Sequence, residues 1–97
     1  MALYVVLGQY SDQGIKSVQD TTKRAEAFKK LATKMGVTVK QIYWTLGHYD
    51  VVTVAEAPDD ETMTALLLSA GRLGNLRTQS MRAFSAEEIG KIVGKLS

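Results

Sequence analysis

Several residue types are missing or scarce in this chain, and their scarcity excludes whole classes of protein. The 97 residues contain no cysteine, which excludes disulfides and thiolate metal sites and fits a reducing cytoplasm. His48 is the only histidine, so a zinc-type site would have no second imidazole ligand. No basic leader opens the chain, and no apolar run approaches the ~18 residues of a membrane-spanning helix. We expect a cytoplasmic protein without metal and without a membrane partner.

The charged residues give no sign of a nucleic-acid partner. The net charge is only +2, and lysine and arginine are scattered along the chain. The densest basic cluster, residues 23–34, includes Glu26 and a single aromatic side chain, Phe28. Nucleic-acid surfaces combine a basic stripe with interleaved aromatic side chains. The cluster is instead typical of the wet face of an amphipathic helix.

The first half of the chain alternates strand and helix patterns. Residues 3–7 are apolar on both alternating faces, which predicts a central strand ended by Gly8. Residues 15–35 repeat apolar positions every three or four residues, which predicts a helix, with a break at residues 20–22 and an end at Gly36. Residues 37–46 form a second strand whose alternation changes phase near Lys40, as a bulge or a late strand start would cause. A tight turn at Gly47 and His48 then leads into a third strand from Tyr49.

The second half repeats the pattern and adds a helix. Pro58 suits the first position of a helix, and the acids that follow it suit the positive end of the helix dipole. Residues 76–84 predict a fourth strand. Ser85 and Glu88 then form a capping box before a last amphipathic helix. This order predicts an α+β fold over residues 1–97, a ferredoxin-like βαββαβ sandwich with an added C-terminal helix.

Such a sandwich carries both of its helices on one side of the sheet, so the other side is bare. The double-sided apolarity of residues 3–7 predicts that a second subunit covers it. We therefore expect a homo-oligomer, a dimer or a multiple of dimers. The alternative is that the last helix of the same chain covers part of this side.

One segment resembles the signature of a known family. Residues 43–50, YWTLGHYD, are similar to the Gly-Tyr-Asp motif that names the GYD-domain family, here split by His48. Residues 10–15, 56–60 and 74–84 also resemble that family, so the likeness spans nearly the whole chain. The resemblance implies a dimeric α/β barrel-type assembly, in which two ferredoxin-like sheets pack face to face. Relatives by fold include cofactor-independent oxygenases, small isomerases and ligand-sensing regulatory domains, so fold alone does not select a function.

The turn that carries this motif holds the candidates for proton transfer. His48 is the natural proton carrier at neutral pH, and Asp50 is a carboxylate just inside a strand. Both have structural alternatives. His48 is also typical of a solvent-facing turn, while Asp50 can cap backbone amides or pair with an arginine of the fourth strand.

Tyrosines of the predicted strands and turns, and arginines of the predicted fourth strand, are the candidates for holding a ligand. A guanidinium group can hold a carboxylate or an enolate, and phenol hydroxyls can donate hydrogen bonds to a ligand. The same side chains also suit core packing, a solvated edge strand or salt bridges between subunits. The set is Tyr10, Tyr43, Tyr49, Arg77 and Arg82.

No phosphate loop, dinucleotide fingerprint or nucleophile elbow is present, so we expect no cofactor. The sequence favours a homo-oligomeric module that binds a small organic molecule or serves as an accessory protein. The alternative is a cofactor-independent enzyme, oxygenase- or isomerase-like, in which Asp50 or His48 takes a proton from a small activated substrate.

Overall fold

A computed structural model describes residues 1–97, and it confirms the ferredoxin-like order of strands and helices. Its four strands form one antiparallel sheet in the order β2-β3-β1-β4. The strands are β1 (Ala2–Tyr10), β2 (Thr38–Trp44), β3 (Val51–Ala57) and β4 (Leu76–Ala83). The two strands whose faces are both apolar, β1 and β3, therefore occupy the centre of the sheet.

Four helices accompany the sheet. None of them combines the length and the hydropathy that a membrane-spanning helix requires. The predicted break in the first helical region is confirmed, because a short 3-10 turn at Val18–Asp20 separates two helices. The C-terminal glycine is also as predicted, since Gly36 has a φ of 80° just beyond the helix end. The helices are α1 (Asp12–Lys16), α2 (Thr21–Lys34), α3 (Asp60–Gly71) and α4 (Ala86–Val93).

The prediction that Gly8 ends the first strand is wrong, because β1 continues to Tyr10. Gly8 lies between two partner strands, opposite Val51 of β3 and Thr78 of β4. Ladder partners on both sides hold the backbone extended, and they outweigh the low strand preference of a single glycine. A glycine at the middle of the sheet also leaves a gap on the face that the helices cover.

Of the two explanations for the change of phase in the second strand, the bulge is confirmed, but the turn after it is not the predicted one. Between Val39 and Gln41 the register against β3 shifts, so Lys40 is the extra residue. The connection from β2 to β3 spans residues 45–50 rather than a two-residue turn. Thr45 closes this loop: its amide donates to the Asp50 carbonyl (2.8 Å) and its hydroxyl donates to the Tyr49 carbonyl (2.6 Å).

The start of α3 also differs from the prediction that Pro58 is its first residue. Asp59 is the N-cap, and its carboxylate accepts a hydrogen bond from the Thr62 amide at 2.7 Å. Hydrogen bonding from the Thr62 side chain, together with this bond from its amide, lowers the pKa of Asp59 below its ordinary value. A capping carboxylate satisfies an amide that the helix leaves free, so Asp59 rather than Pro58 sets the boundary.

The core lies between the sheet and helices α2 and α3. Tyr4 and Val6 of β1 point to this side, next to Ala55 of β3, and α3 covers them with its fully buried Leu66. The Tyr4 hydroxyl donates a hydrogen bond to Asp60, and this bond, with burial, raises the pKa of Tyr4 to about 12. Tyr4 therefore remains a hydrogen-bond donor at neutral pH.

The opposite side of the sheet has no helix over it, and we call it the open sheet face. Pairing registers place alternate residues of all four strands there, and most are apolar. A polar rim borders it, where Lys40 and Glu56 form an ion pair at 2.8 Å. The central apolar residues are Leu3, Val5, Leu7, Val52, Val54, Met81 and Ala83.

Helix α4 follows β4 with its predicted capping box intact, yet its apolar face has no cover. Ser85 Oγ accepts from the Glu88 amide at 3.1 Å, and the Glu88 carboxylate accepts from the Ser85 amide at 3.0 Å. The Ser85 amide lowers the pKa of Glu88 below its ordinary value. Ile89, Ile92 and Val93 are 38–56% exposed, so the alternative that α4 covers its own sheet is wrong.

Because α4 packs so little against its own chain, losing its cap should act locally. We expect Ser85→Ala to destabilise α4 by about 1 kcal/mol, the typical effect of removing an N-cap. Amide hydrogen exchange in residues 87–93 should become faster, while the urea midpoint of the whole protein stays unchanged. Ser85→Asp restores a capping acceptor and serves as the control. A lower urea midpoint for the whole Ser85→Ala protein would contradict this expectation and show that α4 packs against the rest of the chain.

Candidate ligand cleft

A cleft of about 320 Å³ lies between the sheet and helices α2 and α3. We call it the helix–sheet cleft. Its size falls within the ~300–1,000 Å³ typical of small-molecule sites. Its lining is mostly apolar, from Val6 and Val51 on the sheet, Ile42 and Trp44 on β2, and Phe28 on α2. Such a cavity within a small core is a candidate binding site.

Small residues create this space. Gly8 contributes no side chain to the floor, where Val6 and Val51 flank it. A Cβ at Gly8 would meet its nearest neighbours, the Val51 carbonyl and the Leu76 methyls, at an ordinary 3.6–3.7 Å. On the helices, Ala25 of α2 and Ala70 of α3 face the same space. The space between the sheet and the two helices thus stays unfilled, because the sequence places short side chains opposite one another.

A hydrogen-bonded group at one side of the cleft ties the edge of the sheet to α2. Thr21, the first residue of α2, receives a hydrogen bond from the Trp44 indole nitrogen at 3.0 Å. The Tyr10 hydroxyl lies 3.1 Å from the same Thr21 oxygen. These bonds orient the Trp44 ring, which is 43% exposed, along the side of the cleft.

Arg24 is the one charged residue in the lining, and three of its five N–H groups are already engaged. Its Nη1 donates to the carbonyl and the hydroxyl of Ser17, both at 3.1 Å, and its Nη2 donates to the Gly14 carbonyl at 3.2 Å. The remaining polar lining includes the hydroxyls of Thr53 and Thr78 on the floor. The cleft therefore offers hydroxyl groups, no carboxylate, and a guanidinium group that is largely engaged by its own chain.

Asp50 lies outside this lining, and its carboxylate has a structural partner. Its Oδ2 accepts a hydrogen bond from the Tyr10 amide at 2.9 Å, while its own amide donates to the Gly8 carbonyl at 2.8 Å. This is the backbone-capping alternative, with an amide of β1 in place of the amides of the turn. The proton-transfer role of Asp50 stays a prediction.

His48 and Tyr49 lie beside the open sheet face instead. The two rings meet edge to face with centroids 4.9 Å apart, and the Tyr49 hydroxyl donates to the Gln79 side chain at 2.8 Å. His48 is exposed, and its carbonyl accepts from the Gln9 side chain at 2.8 Å. No cluster of three acids or histidines that could hold a metal ion is present.

The other predicted ligand residues are spread over the molecule rather than gathered. Tyr43 is 53% exposed and lies on the open sheet face, where it pairs with Val52 of the neighbouring strand. Arg77 lies on the same face, on β4. The Arg82 guanidinium carbon lies 4.6 Å from the Phe84 ring centroid, at the far end of β4. Of the five predicted ligand residues, only Tyr10 is tied to the cleft, through Thr21.

None of the residues that line the cleft was among the predicted site residues; those of most consequence are Gly8, Thr21, Phe28, Trp44 and Thr53. Two of them had a visible signal. Trp44 shares its alternation phase with Ile42, so one face of β2 carries both, and Gly8 follows directly on an apolar strand. Thr21 had no such signal, because its role depends on where the helix break brings it.

Comparison with known proteins places the chain in a family context. The sequence profile described as the GYD domain matches residues 4–93. A Thermus thermophilus protein named glutamine synthetase and cystathionine beta-lyase binding protein is 29% identical over 90 residues, which cover 92% of this chain and 95% of that protein.

Solved structures share the fold at low sequence identity. A feast or famine regulatory protein of Mycobacterium tuberculosis, complexed with L-methionine, matches 89% of this chain with a TM-score of 0.67 at 17% identity. This chain spans about half of that protein, 52% of its length. A crystal structure of a protein from Thermus thermophilus matches 89% of this chain and 96% of its own, with a TM-score of 0.58 at 22% identity.

Proposed function

Because this chain belongs to the GYD-domain family, we propose that it is a self-associating accessory protein that binds a small organic molecule in the helix–sheet cleft. The observation that carries the proposal is the cleft itself. It encloses about 320 Å³ against a floor left open at Gly8. An empty apolar space of this size costs stability that a bound molecule would restore.

The positions of the acid–base candidates favour binding over catalysis. A working general base must reach a substrate proton, directly or through one water. The Asp50 carboxylate already accepts the Tyr10 amide, and His48 is exposed in the loop beside the open sheet face. Neither side chain lines the cleft. The enzyme alternative would need a substrate on the other side of the sheet.

An accessory role agrees with the relative from Thermus thermophilus. That protein is named for binding two metabolic enzymes, and its sequence aligns with this chain along nearly its whole length. We infer that this chain likewise works by binding other molecules, and we place it in the cytoplasm, as its cysteine-free composition favours.

Self-association is the second part of the proposal. The open sheet face is apolar at its centre, and only 12 of the 97 residues are buried within one chain. Small domains gain much of their stability by burying more surface, and contiguous apolar patches of this kind mark interfaces. A second copy packed sheet against sheet would cover Val5, Val54 and Met81 together.

A ligand screen tests the cleft directly. We expect some small organic molecules to raise the melting temperature of the wild-type protein, since a ligand that binds only the folded state stabilises it. The matched variant Gly8→Leu fills the floor of the cleft, so the same molecules should leave its melting temperature unchanged. A screen in which every stabilising compound acts equally on both proteins would contradict the proposal.

A further inference from the structure

We propose that the helix–sheet cleft selects uncharged, mainly apolar molecules with a flat ring system and at most one or two hydroxyl or carbonyl groups. This inference rests on the proposed small-molecule function and adds the chemical class of the ligand. It comes from three features of the lining: the engaged state of Arg24, the hydroxyls of the floor and the aromatic rings at the sides.

The first feature disfavours charged ligands of either sign. An anion would find at most two of the five Arg24 N–H groups, because the other three bond Gly14 and Ser17 at 3.1–3.2 Å. Drawing the whole guanidinium group toward the anion would leave those acceptors without a partner. A cation would meet Arg24 and find no carboxylate in the lining. A charge taken out of water without a partner is strongly disfavoured.

The second feature admits a small number of uncharged polar groups. Thr53 is 7% exposed and lies on β3 opposite Val6, and Thr78 lies on β4 opposite Gly8. Both hydroxyls belong to the cleft lining and can donate to a carbonyl or accept from a hydroxyl of the ligand. Thr21 differs, because the Trp44 indole and the Tyr10 hydroxyl already engage its oxygen.

The third feature favours a flat ring. Phe28 on α2 and Trp44 on β2 line the same space, and the Trp44 ring is held by its bond to Thr21. Aromatic side chains bind other rings edge to face or in offset stacks. The chain has one tryptophan, so its fluorescence reports on this cleft alone.

Two dyes of the same scaffold test the class. N-phenylnaphthylamine is uncharged, whereas anilinonaphthalene sulfonate adds one sulfonate to the same rings. We expect the uncharged dye to bind the wild-type protein, with a rise in dye fluorescence and quenching of Trp44. The sulfonate should bind at least about tenfold more weakly, because its charge finds only the part of Arg24 that Gly14 and Ser17 leave free.

Substitutions on the two faces of β1 locate the binding. Gly8→Leu should abolish binding of the uncharged dye. If that variant does not fold, Ala70→Leu replaces it in the test, because it fills the same cleft from α3. Val5→Thr changes the open sheet face while keeping the side-chain shape, so it should leave binding intact.

The outcomes separate the inference from the proposed function. Equal or tighter binding of the sulfonate, still lost in Gly8→Leu, would overturn the ligand class and leave the binding function standing. Failure of both dyes to bind, with no hit in the ligand screen, would overturn both. Binding that is lost in Val5→Thr but kept in Gly8→Leu would move the site to the open sheet face and overturn the inference.

Discussion

Gly14→Ala should destabilise the folded protein by about 3 kcal/mol or more, the upper range for forcing extra atoms into a packed site. A Cβ at Gly14 would lie 1.9 Å from the Asn75 carbonyl oxygen and 2.8 Å from its carbon. These are backbone atoms and cannot rotate aside as a side chain would. Helix α1 would have to move away from residues 74–75.

That movement would break several contacts at once, which is why the effect should be large. The Ser11 amide donates to the Asn75 carbonyl at 3.1 Å, and the Gln13 side chain donates to the Leu73 carbonyl at 3.0 Å. Arg24 also bonds the Gly14 carbonyl from α2. For a domain whose whole stability is of the order of 5–15 kcal/mol, this loss is a large fraction.

Urea unfolding followed by circular dichroism measures the change. Gly90→Ala is the matched control, because a Cβ there meets nothing within 4 Å and alanine suits the middle of α4. Its unfolding midpoint should stay the same or rise slightly. A Gly14→Ala midpoint equal to that of the wild type would contradict the close approach of α1 to residue 75.

Val5→Lys should convert the proposed self-associated form of the protein into monomers. Val5 lies at the centre of the open sheet face, between Val54 and Met81 on the neighbouring strands. Pairing two such faces would bury a lysine from each copy against apolar side chains, and the acid on the rim of this face, Glu56, is already paired with Lys40. The cost of burying unpaired charge is several kcal/mol, enough to separate a dimer at micromolar concentration.

Light scattering coupled to size exclusion gives the mass directly. The wild type should have a measured mass of twice the 10.6 kDa of one chain, or a multiple of the dimer mass. The Val5→Lys variant should have a measured mass of 10.6 kDa. Thr64→Lys adds the same charge on the exposed side of α3 and should keep the wild-type mass. A wild-type protein that stays monomeric would refute self-association through this face.

Local chemistry predicted much of the fold, because many boundaries depend on neighbouring residues alone. The capping box of Ser85 and Glu88 and the helix end before Gly36 each involve hydrogen bonds or dihedral angles within a few residues. The change of phase near Lys40 needed only the alternation of side chains along one strand. Such features are visible in a sequence before any tertiary contact is known.

The errors arose where distant residues decided the outcome. Gly8 remains in a strand because Val51 and Thr78, far away in sequence, pair with it on both sides. Asp50 is held by an amide of β1 forty residues earlier. The cleft was also missed because it depends on residues that are distant in sequence. It depends on Gly8, Ala25 and Ala70 facing one another, and no single segment reveals that arrangement.

The bulge at Lys40 determines which aromatic side chains reach the cleft. With the extra residue, Ile42 pairs with Thr53 and Trp44 with Val51, on the helix side of the sheet. If β2 kept all its residues but paired regularly, without the bulge, every later residue would turn over, and Gln41 and Tyr43 would face the helices instead. The cleft would then have a polar wall in place of an apolar one. Among related sequences, a deletion of the bulged residue would therefore straighten β2 and keep Ile42 and Trp44 in the lining, whereas a strand of the same length that pairs without the bulge would change the ligand preference.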